Sequence, residues 1–172
     1  AILAASPVAA RKLAWKPDEL RADLATRLSA DELTDVQVPY EIDDDIRAWG
    51  RSITDGIVSG QDQAEALARG ILKDERLRAV YDESTTITAQ EVFRTGRANC
   101  ISLTNLFIGI LRDMGMPAYY VDVTQATHVR KVNDLLVARG HICAGVWFGN
   151  RFILYDFADR PERTYPRYAG ID

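Results

Sequence analysis

The sequence predicts an α+β fold in which a buried helix that begins at a cysteine packs on an antiparallel sheet, next to an N-terminal helical extension. Three observations support this prediction. Residues 99–117 form a strongly apolar segment, residues 141–148 and 151–157 are two β-rich runs, and apolar residues recur at helical spacing between residues 17 and 72. We expect residues 1–84 to form the extension and residues 85–172 the core, packed as one compact unit.

The composition excludes several classes of partner. The chain has 172 residues, a net charge of -4 and 47% hydrophobic residues, and no cluster of Lys and Arg. We therefore expect no nucleic-acid partner. We also expect no membrane span, because no apolar run approaches the roughly 18 residues that a bilayer requires. The two cysteines are too few for a disulfide-stapled domain, so we expect both to be reduced.

The first residues leave the location of the protein open. The segment AILAASPVAARK is similar to the end of a secretory apolar region with small residues near a cleavage point. It is equally consistent with a trimmed N-terminus or the end of an alanine-rich helix. Export to the periplasm and a cytoplasmic location therefore remain equally open.

The N-terminal part predicts amphipathic helices. One begins at Pro17, and Ser29 with Glu32 forms a capping box for a further turn. Acidic residues 43–45 match the positive end of a helix dipole and so predict a helix start, which we favour over a cation site. We expect Gly60 to end that helix. The apolar positions of the three main helices are Leu20, Leu24, Leu28; Ile46, Trp49, Ile53, Ile57; and Ala64, Leu67, Ala68, Ile71, Leu72.

The segment before the central helix is less regular. Residues 78–84 fit either a short strand or the last turn of a helix. Thr88 and Glu91 have the spacing of a capping box, which predicts a short helix ahead of a loop at residues 95–98. That loop leads directly to Cys100.

The central helix is predicted to start at Asn99 and to stop at Gly115. Its apolar residues cover most of the circumference, which indicates burial on most sides. A narrow polar stripe contains Ser102, Asn105, Gly109 and Arg112. Cys100 falls in the first turn, where free backbone amides and the helix dipole favour a thiolate.

A strand is predicted at residues 118–123, whereas residues 124–140 are ambiguous. They are mostly polar and contain His128. We expect either a long loop or a short helix through Val132, Leu135 and Leu136.

The two β-rich runs flank Gly149 and Asn150, which predicts a tight hairpin of fixed register. Pairing of Phe148 with Arg151 places His141 and Asp156 on the same face as diagonal neighbours, about 7–8 Å apart between Cα atoms. The same register predicts Val146 opposite Ile153, Ala144 opposite Tyr155 and Cys143 opposite Asp156. Both faces of the hairpin carry apolar residues, so we expect it to lie inside a larger sheet.

These positions predict a nucleophile, a base and an orienting carboxylate, in the chain order Cys100, His141, Asp156. We favour His141 over His128 as the base because it has the aspartate on its face. The Cys100 amide is a candidate donor to an oxyanion. The second donor stays open, with Asn99, Gln90 and Arg94 as candidates.

Two further alternatives remain. Trp147 either shapes a substrate cleft or fills the core, and we favour the core role. Cys143 lies close to His141 and Asp156 in the predicted sheet, so a zinc site of Cys100, His141, Cys143 and Asp156 is a second hypothesis. We favour the metal-free interpretation because the chain has no short Cys-x-x-Cys pair to anchor a metal.

The segments GRANCISLTNLFIGILRDMGMPAYYVDV, GHICAGVWF and RFILYDFAD together resemble the bacterial transglutaminase-like domain of the papain-like thiol superfamily, over roughly residues 85–160. The resemblance implies a papain-like or transglutaminase-like core with Cys100, His141 and Asp156 in the triad roles. That family contains cross-linking acyltransferases, peptidases, amidases and inactive members. The tryptophan that precedes the cysteine in cross-linking enzymes is absent here, which argues against cross-linking.

We therefore expect a thiol-dependent acyl-transfer enzyme, an amide hydrolase or cysteine peptidase that acts through a thioester on Cys100. The expected substrate is a protein or peptide, and no cofactor is required. Two alternatives are a protein transglutaminase and a catalytically inactive protein-binding module of the same fold.

Overall fold

The computed structural model describes residues 15–73, 77, 79–123, 128–132, 135–158 and 169–171, with the backbone alone at 128–132 and 135–139. The first twelve residues, which resemble the end of a secretory segment and bear on the location of the protein, lie outside this part of the chain. The helices are α1 (Pro17–Leu24), α2 (Ala30–Thr34), α3 (Asp44–Thr54), α4 (Gly60–Lys73), α5 (Ala89–Thr95) and α6 (Cys100–Asp113). The strands are β1 (Val80–Tyr81), β2 (Arg97–Ala98), β3 (Ala118–Asp122), β4 (His128–Val132), β5 (Leu135–Arg139), β6 (Ile142–Phe148), β7 (Arg151–Tyr155) and β8 (Ala169–Ile171).

The predicted starts of the N-terminal helices are confirmed. Pro17 is the first residue of α1, and the Ser29 hydroxyl accepts a hydrogen bond from the Glu32 backbone N–H ahead of α2. The Asp43 carboxylate accepts from the Ile46 N–H at 3.0 Å and caps α3. The prediction that Gly60 ends this helix is wrong. Gly60 instead begins α4, because Ser59 accepts the first backbone hydrogen bonds of that helix.

A two-stranded parallel pair connects the N-terminal helices to the central helix. Within the ambiguous segment 78–84, Val80 and Tyr81 form β1, which pairs with β2 in the register Val80 with Arg97 and Tyr81 with Ala98. Between these strands, the Thr88 capping box starts α5 as predicted. The loop predicted at residues 95–98 contains β2, so it is held in place by β1.

The central helix α6 is confirmed with Asn99 as its N-cap, and it is enclosed more completely than predicted. Every residue of α6 from position 102 to 112 is buried, including the polar stripe. The polar side chains of Ser102, Asn105 and Arg112 are hydrogen-bonded, as is usual for buried polar groups, whereas the buried Thr104 hydroxyl has no partner among the described residues. Asn105 donates to the Ile87 carbonyl at 3.0 Å, and the Arg112 guanidinium donates to the Ala118 carbonyl at 2.9 and 3.0 Å.

A four-stranded antiparallel sheet in the order β7-β6-β3-β8 packs against α6. The predicted hairpin register is confirmed, because Phe148 pairs with Arg151, Val146 with Ile153 and Ala144 with Tyr155. The hairpin was expected to lie inside a larger sheet, and this prediction is correct only for its strand β6. Among the described strands, β7 is at the edge of the sheet.

Residues 128–139 were predicted as a loop or a short helix, and both predictions are wrong. The backbone forms an antiparallel hairpin of β4 and β5, with His128 paired to Arg139 and Val132 to Leu135. The two residues between the strands are Asn133 and Asp134, which are typical of turns. The apolar residues that fit a helical period are therefore at the closed end of a hairpin.

The helices and the sheet share one hydrophobic core. Ile46 and Trp49 of α3 and Leu67 of α4 belong to the same buried cluster as Phe107 of α6 and Phe157 after β7. The predicted α+β architecture is thus confirmed. No helix in the described part of the chain is long and apolar enough to span a membrane.

Candidate active site

Cys100 is the first residue of α6, and its side chain is partly buried. Burial raises the pKa of this thiol, but a hydrogen bond with His141 and the backbone amides of Ile142 and Ile101 outweigh burial and lower it below its ordinary value. The start of the helix contributes in the same direction because its dipole favours an anion. Cys100 is therefore placed to ionise readily.

His141 lies immediately before β6 and is 8% exposed. Its carbonyl accepts a hydrogen bond from the Val123 N–H at 2.9 Å, which ties the backbone to the end of β3. Its ring Nε2 lies 2.7 Å from Asp156 Oδ1, as expected for a donated hydrogen bond to a carboxylate. Burial lowers the pKa of His141, but its hydrogen bonds with Asp156, Cys100 and Cys143 raise it overall.

Asp156 follows the last residue of β7, so the hairpin brings its carboxylate to the histidine. Oδ1 also accepts a hydrogen bond from the Ala158 backbone N–H at 2.8 Å. Both interactions fix the direction of the carboxylate. The structure thus joins Cys100, His141 and Asp156 in one series of hydrogen bonds, with the imidazole in the middle.

Cys143 is the second thiol beside the imidazole, but it differs from Cys100 in environment. It is fully buried, and its Sγ lies 3.4 Å from His141 Nε2. Burial and the neighbouring Asp156 charge raise its pKa, so it stays a neutral thiol. Ligand atoms of His141, Cys143 and Asp156 lie within 4.8 Å of one another, which is close enough to hold a metal ion. Among the described residues this group does not include Cys100, the fourth ligand of the zinc hypothesis.

The two candidate substrate-binding residues have different surroundings. The Asn99 side chain is engaged, because Oδ1 accepts from the Ser102 N–H at 2.9 Å and Nδ2 donates to Thr86 Oγ1 at 2.6 Å. Trp147 is 52% exposed and its ring lies 4.9 Å from that of Phe152, so the alternative of a core role is wrong. Gln90 and Arg94 lie on α5, and the side chain of His128 is outside the described part of the structure.

Tyr81 is a neighbour of Cys100 that the sequence analysis missed. Its hydroxyl is in hydrogen-bonding contact with both the side chain and the backbone of Cys100. The parallel pairing of β1 with β2 produces this contact, since Tyr81 lies opposite Ala98, two residues before the thiol. The only signal in the sequence was the β-prone Val80-Tyr81 pair in the ambiguous segment.

Solved structures resemble this chain, among them two candidate proteases. A candidate cysteine protease from Cytophaga hutchinsonii superposes with a TM-score of 0.51 at 18% identity, covering 77% of this chain and 43% of that chain. A candidate protease from Parabacteroides distasonis gives a TM-score of 0.48 at 15% identity, covering 82% of this chain and 26% of that chain. This chain thus spans less than half the length of either structure, and the first likeness supports the fold.

No curated protein sequence matches the chain at a significant level. A sequence model of the transglutaminase-like superfamily matches residues 47–157, so the match includes most of α3, all of α4 and all but the last two residues of the segments that carry the resemblance. The division into an extension at residues 1–84 and a core at 85–172 stays a prediction. Since the match covers more than half of the sequence, the chain belongs to the transglutaminase-like superfamily.

Proposed function

We propose that this protein is a thiol-dependent acyl-transfer enzyme that hydrolyses an amide bond in a protein or peptide. The observation that carries the proposal is the hydrogen-bonded series of Cys100, His141 and Asp156. A thiol with a lowered pKa, next to an imidazole that a carboxylate orients, is the arrangement that nucleophilic catalysis by cysteine requires.

The two ring nitrogens of His141 have separate roles in this proposal. Nε2 donates to Asp156, so we assign Nδ1 to the contact with Cys100. The opposite directions of the two pKa shifts favour a thiolate on Cys100 and an imidazolium on His141. Asp156 stabilises the imidazolium and holds the ring in one orientation.

In the proposed reaction, the Cys100 thiolate attacks the carbonyl carbon of the substrate and forms a tetrahedral intermediate. The Cys100 backbone N–H, which has no partner within the helix because it lies in the first turn, donates to the new oxyanion. The C–N bond then breaks, and His141 gives its proton to the leaving amine. A water molecule that His141 deprotonates attacks the thioester, which releases the acid and restores the thiol.

Membership of the superfamily supports acyl transfer as the kind of reaction. The name of the Cytophaga hutchinsonii structure, a candidate cysteine protease, supports a protein or peptide as the substrate class. Transamidation, in which an amine replaces water, has the same first half-reaction. We favour hydrolysis because Asn99 precedes the thiol where the cross-linking enzymes have tryptophan.

Alkylation of the thiol tests the proposal. We expect iodoacetamide to label Cys100 at a rate that stays high well below pH 8.5, the approximate pKa of a free thiol. In His141→Ala, labelling should require a pH near that value because the imidazolium is lost. Mass spectrometry of the peptides gives the rates for both cysteines, and the buried Cys143 serves as the internal control with little labelling in the native state.

Two labelling results would contradict the proposal. One is a Cys100 that labels only after unfolding, which would favour an inactive binding module. The other is labelling of Cys100 with the same pH dependence in the native chain and in His141→Ala. Peptide hydrolysis that persists in Cys100→Ala would assign the activity to a different group.

A further inference from the structure

We propose that the Tyr81 hydroxyl is a catalytic group that donates the second hydrogen bond to the oxyanion, beside the backbone N–H of Cys100. This inference rests on the proposed function and supplies the donor that the sequence left open. It adds a residue from β1, which lies upstream of every segment on which the family resemblance was built.

The backbone of Tyr81 is fixed on both sides by the neighbouring strand. The Val80 N–H donates to the Gly96 carbonyl at 2.7 Å, and the Asp82 N–H donates to the Ala98 carbonyl at 2.9 Å. Since β2 leads directly into α6, these bonds hold Tyr81 at a constant position relative to Cys100. A donor that is held this rigidly needs little reorganisation when negative charge develops on the oxyanion.

Side-chain contacts then fix the end of β1. The Asp82 carboxylate accepts hydrogen bonds from Arg97 at 2.8 Å, from the Ser84 hydroxyl at 2.7 Å and from Thr85 at 2.9 Å. The Arg97 contact crosses from β1 to β2 and reinforces their pairing. The Tyr81 ring itself packs against the hydrophobic core, which leaves its hydroxyl directed at Cys100.

The Tyr81 hydroxyl is placed to donate first to the Cys100 sulfur and then to the substrate oxygen on which negative charge develops. The Cys100 sulfur raises the pKa of the Tyr81 phenol and the Cys100 backbone N–H lowers it, so the hydroxyl lies within hydrogen-bonding reach of both. During attack, negative charge passes from the sulfur to the carbonyl oxygen of the substrate, which must approach that same N–H. The phenol can then donate to the oxyanion in place of the sulfur, with the Cys100 N–H as the second donor.

Tyr81 keeps its proton while it does so. Burial and the nearby Cys100 raise the pKa of the phenol above its ordinary value, so it is a neutral donor at neutral pH. The Asn99 alternative is weaker because both ends of its amide already bind Ser102 and Thr86. When Tyr81 donates to the oxyanion, both hydrogen bonds of the Asn99 amide stay intact.

The test compares two reactions of the same thiol in Tyr81→Phe. Acylation by p-nitrophenyl acetate passes through an oxyanion, whereas alkylation by iodoacetamide is a displacement at carbon that forms none. We expect the limiting rate of acylation, measured at the pH plateau, to fall by about 10²- to 10³-fold. The limiting rate of alkylation should stay within about 3-fold, which would also show that the site is folded. Tyr119→Phe is the matched control, and Cys100→Ser defines the background.

The other outcomes overturn the inference in distinguishable ways. Equal acylation by the native chain and Tyr81→Phe would remove Tyr81 from the mechanism and leave the proposed function intact. A parallel fall in both rates would show that Tyr81 only positions the thiol. If acylation of the native chain does not exceed that of Cys100→Ser, the proposed function fails, and this inference fails with it.

Discussion

At the scale of single residues, two cysteines contact one imidazole and acquire opposite properties. Cys100 receives hydrogen bonds from two backbone amides and from His141, whereas Cys143 is enclosed in apolar surroundings next to the negative charge of Asp156. The pKa of the first thiol falls and that of the second rises. Local donors, more than distance from the histidine, decide which thiol can act as a nucleophile.

Asp156 gives the first residue-scale prediction. In Asp156→Ala we expect kcat/KM for peptide hydrolysis to fall by roughly 10- to 1000-fold, because His141 loses the carboxylate that orients its ring. The loss should be smaller than in Cys100→Ala, since the base itself remains and general acid–base catalysis is worth about 10²- to 10⁴-fold in all.

The matched variant is Asp156→Asn, whose amide oxygen can still accept from Nε2 and from the Ala158 N–H. It should retain more activity than the alanine variant. Equal kcat/KM in the native chain and in Asp156→Ala would exclude an orienting role for this carboxylate.

The sequence predicts some of these contacts and not others, for a physical reason. The pairing of His141 with Asp156 follows from the period of two along strands and the two-residue turn, which together fix the register. Tyr81 is different, because β1 and β2 have two residues each and no period can be read from so short a segment. Their pairing is parallel and spans a helix, so no turn residue reveals it either.

At the scale of elements, α6 is crossed so closely by another segment that one position requires glycine. A Cβ placed on Gly109 would lie 2.3 Å from the Tyr40 carbonyl oxygen and 2.8 Å from Ile42 Cγ2. Gly109 is part of the predicted polar stripe, but its role in the structure is to admit the backbone of residues 40–42. The Arg112 guanidinium stacks on the Tyr40 ring in the same region, 4.4 Å from the centroid.

We therefore expect Gly109→Ala to lower the free energy of unfolding by about 2 kcal/mol, as overpacked core substitutions do. The better helix propensity of alanine, worth up to about 1 kcal/mol, offsets only part of the clash. Urea denaturation followed by circular dichroism measures the change.

Gly60→Ala is the control for this prediction. It is also a helical glycine, but its added Cβ would meet only side-chain atoms at ordinary contact distances, Met116 Sδ at 3.4 Å and Phe148 Cε1 at 3.9 Å. Stability should stay constant or rise slightly. An equal loss in both variants would mean that Gly109 is not a special site of close approach.

The hairpin of β4 and β5 shows why a helical period can mislead. Val132, Leu135 and Leu136 lie three and four residues apart, which fits one face of a helix. In the pair of β4 and β5 the same spacing places apolar residues on two adjacent strands, with Val132 opposite Leu135. A period read from three residues therefore cannot distinguish the two structures.

At the scale of the whole molecule, the predicted extension and core share buried residues. Trp49 of α3 packs its ring 5.5 Å from that of Phe93 in α5, and Ile71 of α4 joins the cluster that contains Leu106. Removal of either part would expose apolar surface of the other. We expect the two to unfold together.

Two variants with a single tryptophan test this prediction. Trp15→Phe/Trp147→Phe leaves Trp49 to report on the helices, and Trp15→Phe/Trp49→Phe leaves Trp147 to report on the sheet. In each variant, the urea midpoint from fluorescence should coincide with that from far-ultraviolet circular dichroism. A fluorescence midpoint that differs from the circular dichroism midpoint would show that residues 1–84 unfold separately from the rest.

The enclosure of α6 on every side has a consequence for how this protein can diversify. The helix that carries the proposed nucleophile has little freedom to accept new side chains, because each of its faces already contacts a neighbour. Adaptation to a different substrate must therefore come from the strands and loops that reach the first turn of that helix. The reacting sulfur would keep its place while the recognition surface around it changes.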